Sequence, residues 1–374
     1  MTNIPASDIE AQGRDAMTKR ILLAGGYGVV GAQTARLMRR HHPDVEILIG
    51  GRRAAEAERL ARELGNARGV TLDATAAAPL DGIEGIDAVG VFVHETDDRL
   101  LRAAIARGIG YMDMTRGWEA MTRGLATAAL FDLRAPVLFS SHWMAGGPAL
   151  IARGLTQGLD SVERIDISIL YYTGDKMGPD SASAGDGMTQ AFVARVGGEW
   201  RRVAPLSGEK TVRFPSGAAR PVYRMNMGDV VTPALASGAA EVGVRLGLDK
   251  GNALGTMRRL IRLGIWGILM KLPGMSAIAA TKPGPGAAHE IVIEVAGLKD
   301  GRRVQRRAAL ADPQGQSHLT AVGALYALER VAGLGPAPLG PGAALPERGF
   351  SAAGLARLEA LLASEGVALT RAEA

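Results

Sequence analysis

Apolar and polar positions follow two different rhythms along this chain, and the change between them divides it. Over residues 19–145 short unbroken apolar runs alternate with stretches in which apolar residues recur every three or four positions. The runs at 20–24, 45–49, 69–72, 88–93, 110–114 and 137–140 have the length of buried strands, and the stretches at 30–40, 54–64, 99–107 and 118–130 that of surface helices. A strand apolar on both faces needs cover on both, and regular strand–helix alternation supplies it as a parallel, doubly wound α/β sheet. From residue 162 the pattern shifts to longer strands at 164–172, 210–214, 290–295 and 304–310, joined by glycine-rich links. That predicts a second, α+β unit built on a mostly antiparallel sheet. An alanine- and leucine-rich helix at 320–332, a Pro/Gly connection at 335–346 and a final helix at 351–364 complete the chain.

Composition narrows the class. With 374 residues, 47% hydrophobic and 22% charged, the chain fits two globular cores better than one. Its 43 Lys and Arg against 38 Asp and Glu leave a net charge of +5 without a basic tract, and aromatics are only 4%. Nucleic acid is therefore not expected as a partner. The absence of cysteine removes disulfides, thiolate nucleophiles and cysteine-bound metals, and fits a cytoplasmic protein. The polar segment before residue 18, with Asp8, Glu10 and Asp15, reads as a disordered tail and not as a secretory signal. Histidines at 41, 42, 94, 142, 289 and 318 lack metal-ligand spacing, and no nucleophile-elbow motif is present, so neither a metal site nor a hydrolase is expected.

The first strand runs into Gly26-Tyr27-Gly28-Val29-Val30-Gly31, and a helix follows at once. In this setting Gly26 permits the tight turn, Gly28 lets backbone approach a pyrophosphate, and Gly31 lets helix and strand pack closely, while the helix N-terminus attracts phosphate. An NAD-selective site would carry an acid about 20 residues further on. Here the second strand ends in Gly50-Gly51-Arg52-Arg53, and guanidinium groups suit a 2′-phosphate, so NADP(H) is expected. Asp73 can accept from the adenine or cap its own turn, and His94 ends the fourth strand on the edge where ligands sit. The expected organisation is a tail at 1–18, a dinucleotide-binding Rossmann domain at 19–145, a substrate and oligomerisation domain at 146–318, and C-terminal helices at 319–374 returning to the first domain.

Several segments together resemble the saccharopine-dehydrogenase-like NAD(P)-dependent oxidoreductases. They are Gly25–Gly31, Gly51-Arg52 with residues 56–61 behind it, Asp73, residues 102–113, residues 295–301 and Thr320-Ala321. The resemblance implies a two-domain oxidoreductase moving hydride to or from a C=N or C–N bond. The chain departs from that pattern where members often carry a Gly-Pro-Phe turn, having Val93-His94-Glu95, and where they tend to carry an aspartate and a Pro-Gly turn, having Ser141–Pro148. Both departures flank the expected nicotinamide position.

For chemistry beyond the cofactor, His142 at the domain crossover is a candidate proton donor, with Trp143 as a pocket wall. Tyr172 and Lys176, with Tyr171 and Asp175, follow the first strand of the second unit and are further candidates, each readable instead as a sheet-edge residue. Arg195, Arg201, Arg202, Arg213, Arg220 and Arg224 are available to clamp substrate carboxylates. Eight unbroken apolar residues, 263–270, lie between Arg258-Arg259 and Lys271, far short of the ~20 needed to span a bilayer. Residues 258–271 fit a core helix, an oligomer face, an interfacial helix in peripheral contact with a membrane, or a lid over an apolar substrate. The lid reading carries an alternative function, an enoyl or other C=C or C=O reductase on a lipid-like small molecule, and a cofactor-binding protein without turnover is a third. A homodimer is expected.

Overall fold

The computed structural model describes residues 18–176, 189–272 and 284–374. The first unit runs β1 (Arg20–Ala24), α1 (Val29–His41), β2 (Glu46–Gly51), α2 (Ala54–Leu64), β3 (Ala67–Thr71), β4 (Ala88–Val91), α3 (Arg99–Arg107), β5 (Gly110–Asp113), α4 (Trp118–Ala128) and β6 (Pro136–Phe139). These strands are parallel in the order β3-β2-β1-β4-β5-β6. Alternate residues of β1 enter opposite cores, Ile21 and Leu23 on one side and Leu22 and Ala24 on the other, which is why its sequence is apolar without a break. The order reverses between β1 and β4, which opens a crevice at their carboxyl ends.

The chain then leaves through a turn at Trp143–Gly146. It continues as α5 (Gly147–Leu155), β7 (Ser161–Tyr171), β8 (Phe192–Val196), β9 (Glu199–Val203), β10 (Lys210–Arg213), β11 (Ala219–Arg224), α6 (Thr232–Ser237), β12 (Glu241–Leu248), α7 (Ala253–Arg262), α8 (Trp266–Leu269), β13 (His289–Lys299) and β14 (Arg302–Asp312). It ends with α9 (Gln316–Ala332), β15 (Gly342–Ala344), α10 (Ala352–Ser364) and β16 (Ala368–Glu373). The second sheet has the order β10-β11-β12-β7-β13-β14-β16, antiparallel except for β12 beside β7. The mostly antiparallel second sheet thus matches the sequence expectation. Ile165, Ile167, Ile169 and Tyr171 of β7 face the main core, whereas Leu170 and Tyr172 face outward, where Val212, Phe214 and Val222 of the β10–β11 hairpin fold over them.

Among the described residues six strands lie outside those expected from the sequence: β8, β9, β11 and β12 in the second unit, and β15 and β16 near the chain end. Residues 335–346 contain β15, which extends the first sheet by pairing in parallel with β6, and β16 at the chain end pairs with β14 in the second. Between the two sheets lies α9, in which every residue from Ser317 to Ala332 is buried. A helix buried all round has no polar stripe and is held by neighbours on every side. Its closest approach is at Gly323, where a Cβ would stand 2.2 Å from the carbonyl oxygen of Met144. Its charged end is paired as well: Glu329 accepts from His42 Nε2 at 2.7 Å and from Arg357 Nε at 2.9 Å.

The core-helix reading of residues 258–271 is corrected. Helix α7 buries only Leu254 and Gly255, α8 buries nothing, and Leu263, Ile265, Ile268 and Leu272 are exposed. Arginines at 258, 259 and 262 break the apolar pattern of α7, so it can bury only one narrow side. No helix among the described residues is long and apolar enough to cross a membrane.

The Gly323 contact sets the first prediction. In an exposed helix Gly→Ala stabilises by about 1 kcal/mol; here Gly323→Ala drives a methyl into backbone and should cost about 1–3 kcal/mol in urea denaturation. A neutral or stabilised variant would show that α9 is not seated so closely.

Candidate active site between the two sheets

The glycine turn comes first along the carboxyl edge. Gly25 holds φ +82° and its N–H donates to Gly50 O at 2.8 Å, tying the turn to β2. A Cβ on Gly31 would stand 2.4 Å from Gly25 O, so only glycine lets α1 start here. No side chain caps α1, its first turn holds no acid, and Gly28 and Val29 are exposed. The N–H groups at Val29, Val30 and Gly31 are thus an anion cradle without an internal competitor. Tyr27 lies on the end of β2: a Cβ on Gly51 would meet its ring at 2.3 Å, and its hydroxyl accepts from Arg53 N–H at 3.1 Å. The Arg53 guanidinium sits 5.0 Å from the same ring centre, within cation–π range. Arg52 is exposed beside it. Asp73 caps its own turn, accepting from Thr75 N at 2.9 Å and Thr75 Oγ1 at 2.7 Å. Those bonds, with smaller contributions from Arg52 and Arg99, hold its carboxyl below the usual range. The fold therefore gathers Gly26, Tyr27, Gly28, Val29, Val30, Gly31, Arg52, Arg53 and Asp73 along the ends of β1, β2 and β3. His94 is exposed beyond β4.

Under the next three loops lies a buried charge cluster that the sequence reading did not find. The Arg116 side chain, 1% exposed, donates to Glu95 Oε2 at 2.7 Å and pairs with Asp98 and Asp113. Tyr111 OH donates to Glu95 Oε2 at 2.8 Å, Ser141 Oγ to Asp113 Oδ1 at 2.6 Å, and Arg123 Nε to Asp98 Oδ2 at 3.0 Å. Burial pushes the Glu95 and Asp113 carboxyls up against the pull of Arg116. At Asp98 burial also raises, but bonds from Arg123 and Arg116 prevail and leave it lowered. Since these groups come from the loops after β4, β5 and β6, the cluster locks together the edge that would face a ligand. Its one legible signal is Asp113 followed at i+3 by Arg116 at a strand end.

The third part is the crossover turn. Met144 and Ala145 both hold φ 50°, and Gly146 follows at φ +87°. Left-handed backbone costs roughly 1–2 kcal/mol per non-glycine residue, so the surroundings must hold it. Ser140 Oγ donates to Ala145 O at 2.6 Å, and α9 presses on Met144 O. The turn aims two side chains at the second unit. His142, 5% exposed, has Nε2 2.7 Å from Thr232 Oγ1, and the Thr232 hydroxyl donates to Glu347 Oε1 at 2.6 Å. Because Thr232 spends its proton on the carboxylate, it must accept from His142, which places a proton on Nε2. Trp143 donates its backbone N–H to Asp229 Oδ2 at 2.7 Å and its indole N–H to His289 Nε2 at 3.1 Å, the two rings stacked at 5.7 Å. Burial lowers His289 to about 3, so it is neutral and carries its proton on Nδ1. Burial pushes the Asp229 carboxyl up, with His142 opposing. Around this one turn His142 Nδ1, Asp229 Oδ1, His289 Nδ1 and Glu347 Oε2 are buried without a partner among the described residues. Native interiors rarely leave such atoms unpaired, which makes the turn a candidate for the site.

The remaining sequence candidates lie elsewhere. Tyr172 is on the outer face of the second sheet, where its hydroxyl donates to Glu290 Oε1 at 2.7 Å, and it does not meet His142. Lys176 is exposed, while its neighbour Asp175 caps α9, accepting from Gln316 N–H at 2.7 Å. The six arginines do not converge: Arg201 pairs with Glu199, Arg224 with Glu241, and Arg195 lies over Trp200. Among the described residues no group of His, Asp and Glu could hold a metal ion. Removing the centre of the charge cluster by Arg116→Met strands three carboxylates and should cost about 3–5 kcal/mol in chemical denaturation. A loss below 1 kcal/mol would mean the cluster is not buried as described.

No protein-family model and no curated protein matches the chain by sequence. Solved structures do match by fold. Saccharopine dehydrogenase (L-Glu forming) from Saccharomyces cerevisiae superposes with a TM-score of 0.68 at 14% identity, covering 95% of this chain and all 100% of the other. Homospermidine synthase from Legionella pneumophila, solved in complex with NAD, gives 0.59 at 9% identity, covering 95% and 91%. The resemblance read from the motifs is thus met at the level of architecture: this chain has the two-domain, Rossmann-type fold of saccharopine dehydrogenase.

Proposed function

We propose that this protein is an NADP(H)-dependent oxidoreductase that moves hydride to or from a C=N or C–N bond. The observation that carries the reading is the uncapped start of α1 at the point of strand reversal, followed by Arg52 and Arg53 at the end of β2. The N–H groups of Val29, Val30 and Gly31 would hold the pyrophosphate, and Arg52 with the Tyr27-braced Arg53 the 2′-phosphate. When bound, the nicotinamide supplies the hydride donor or acceptor.

The chain's own part is the proton. His142 offers Nδ1 as a free acceptor, while Nε2 is fixed by Thr232 and Glu347. A proton gained at Nδ1 makes an imidazolium whose charge the Glu347 carboxylate, one hydroxyl away, offsets. In the reverse direction Nδ1 returns it. An imine is often protonated already, so a weak, enclosed acid of this kind is sufficient. Trp143, held at its backbone and its indole, and neutral His289 would form the wall that keeps water away. A second reading, reduction of a C=C or C=O bond in an apolar substrate, is favoured by the exposed Leu263, Ile265 and Ile268.

Fluorescence titration separates the cofactors. NADPH should bind more tightly than NADH, and Arg52→Ala with Arg53→Ala should weaken NADPH by about 10–100-fold while leaving NADH nearly unchanged. Tighter binding of NADH by the wild type defeats the NADP(H) assignment. His142→Asn should lower kcat on an imine or secondary-amine substrate by about 10²–10⁴ without altering the cofactor Kd. Unchanged turnover would remove His142 from the reaction.

A further inference from the structure

We propose that residues 253–272, helix α7 with α8, seat this protein on an anionic lipid surface. The inference is independent of the imine-directed reading of the site, and it gives the exposed apolar residues behind the second reading a different occupant. Helix α7 is anchored on one side only. The Asn252 side chain accepts from Gly255 N–H at 3.0 Å and from Tyr223 OH at 3.0 Å, and Leu254, Met257 and Ile261, spaced by three and four, pack on the core. After α7 the chain turns at Gly264, φ +71°, and α8 follows without a single buried residue. The result is a ridge on which Leu263 is 70% exposed, Ile265 40%, Ile268 67% and Leu272 51%, with Trp266 half-buried among them. Scattered exposed apolar residues are ordinary, but contiguous ones on one short segment mark a surface that is covered in use.

Charge identifies the cover. Residues 253–272 contain Arg258, Arg259, Arg262 and Lys271 and no Asp or Glu. Arg258 is spent on Glu209 at 2.7 Å, whereas Arg259, Arg262 and Lys271 have no acidic partner among the described residues. A second copy of this chain laid on the ridge would bring like charges together. A bilayer with negative head groups instead pairs the cations at its surface while the apolar side chains and the indole enter the boundary below. Because no described helix is long and apolar enough to span, the contact is one of lying on the membrane.

The test is co-sedimentation of the full chain with vesicles of phosphatidylcholine alone and of equimolar phosphatidylcholine and phosphatidylglycerol. Binding to the second and not the first is expected, released as salt shortens the screening length. Arg259→Gln and Arg262→Gln should each lower the partition about fivefold, and Ile268→Asp about tenfold or more, with circular dichroism and urea midpoints unchanged because all three side chains are exposed. No sedimentation with the anionic vesicles, or equal sedimentation with both, overturns the proposal. So does a change of mass in analytical ultracentrifugation on Ile268→Asp with vesicle binding intact, which would make a second copy the occupant.

Discussion

The backbone of α9 touches the backbone of the crossover turn, at Gly323 against Met144 O, and most of what lies between the two sheets depends on that contact. A helix buried on every side can be placed only where its neighbours leave room, and a side chain at position 323 would hold it away from the turn. With it seated, Met144 and Ala145 are kept left-handed and the two side chains before them, His142 and Trp143, are directed across to Thr232, Asp229 and His289. Packing force from a structural helix is thereby converted into the orientation of candidate chemical groups. The strain at the turn is small beside the burial energy that maintains it.

The Arg116 cluster does the corresponding work for the loops. Irregular segments at a sheet edge have few backbone bonds of their own; here the segment after β4, through Glu95 and Asp98, and the end of β5, through Asp113, meet on a single guanidinium, and Ser141 of the loop after β6 joins through Asp113. Loss of water around Glu95 and Asp113 raises both carboxyls despite the pull of Arg116, with the neighbouring Asp113 charge a smaller addition at Glu95. Such an arrangement gives little net stability compared with an apolar core of equal volume. What it does provide is geometry, since each carboxylate oxygen has one place to go.

Much of this was legible from the sequence, and what was not has identifiable causes. The parallel strands announce themselves because both their faces are buried, so β1 reads as apolar without interruption. The glycine turn is local, within a few residues, and so is the Arg52-Arg53 pair. Tyr172 illustrates the limit of strand reading, since one step along β7 from Tyr171 moves a side chain to the other face. The first turn of α9 was missed because Gln316, Ser317 and His318 are polar; they are held, the last two buried, by partners, among them Asp175, Gln33 and Asp312, that no spacing rule connects to them. For the same reason Thr232 and Glu347 gave no sign: 90 residues separate His142 from Thr232, and 115 separate Thr232 from Glu347. The apolar run at 263–270 was visible, but its exposure was not, because periodicity records which side is apolar and not what lies against it.

The placement of β15 in the first sheet and β16 in the second means that the chain is sewn through both. It passes from the first sheet to the second after β6, back through α9 to β15, and forward again through α10 to β16. Two bodies joined by a single tether swing like a door, whereas bodies stitched by several separate threads resist rotation about any one of them. Stitching of this kind limits rotation of one sheet against the other and leaves short sliding of layers or movement of surface loops as the motions open to the molecule.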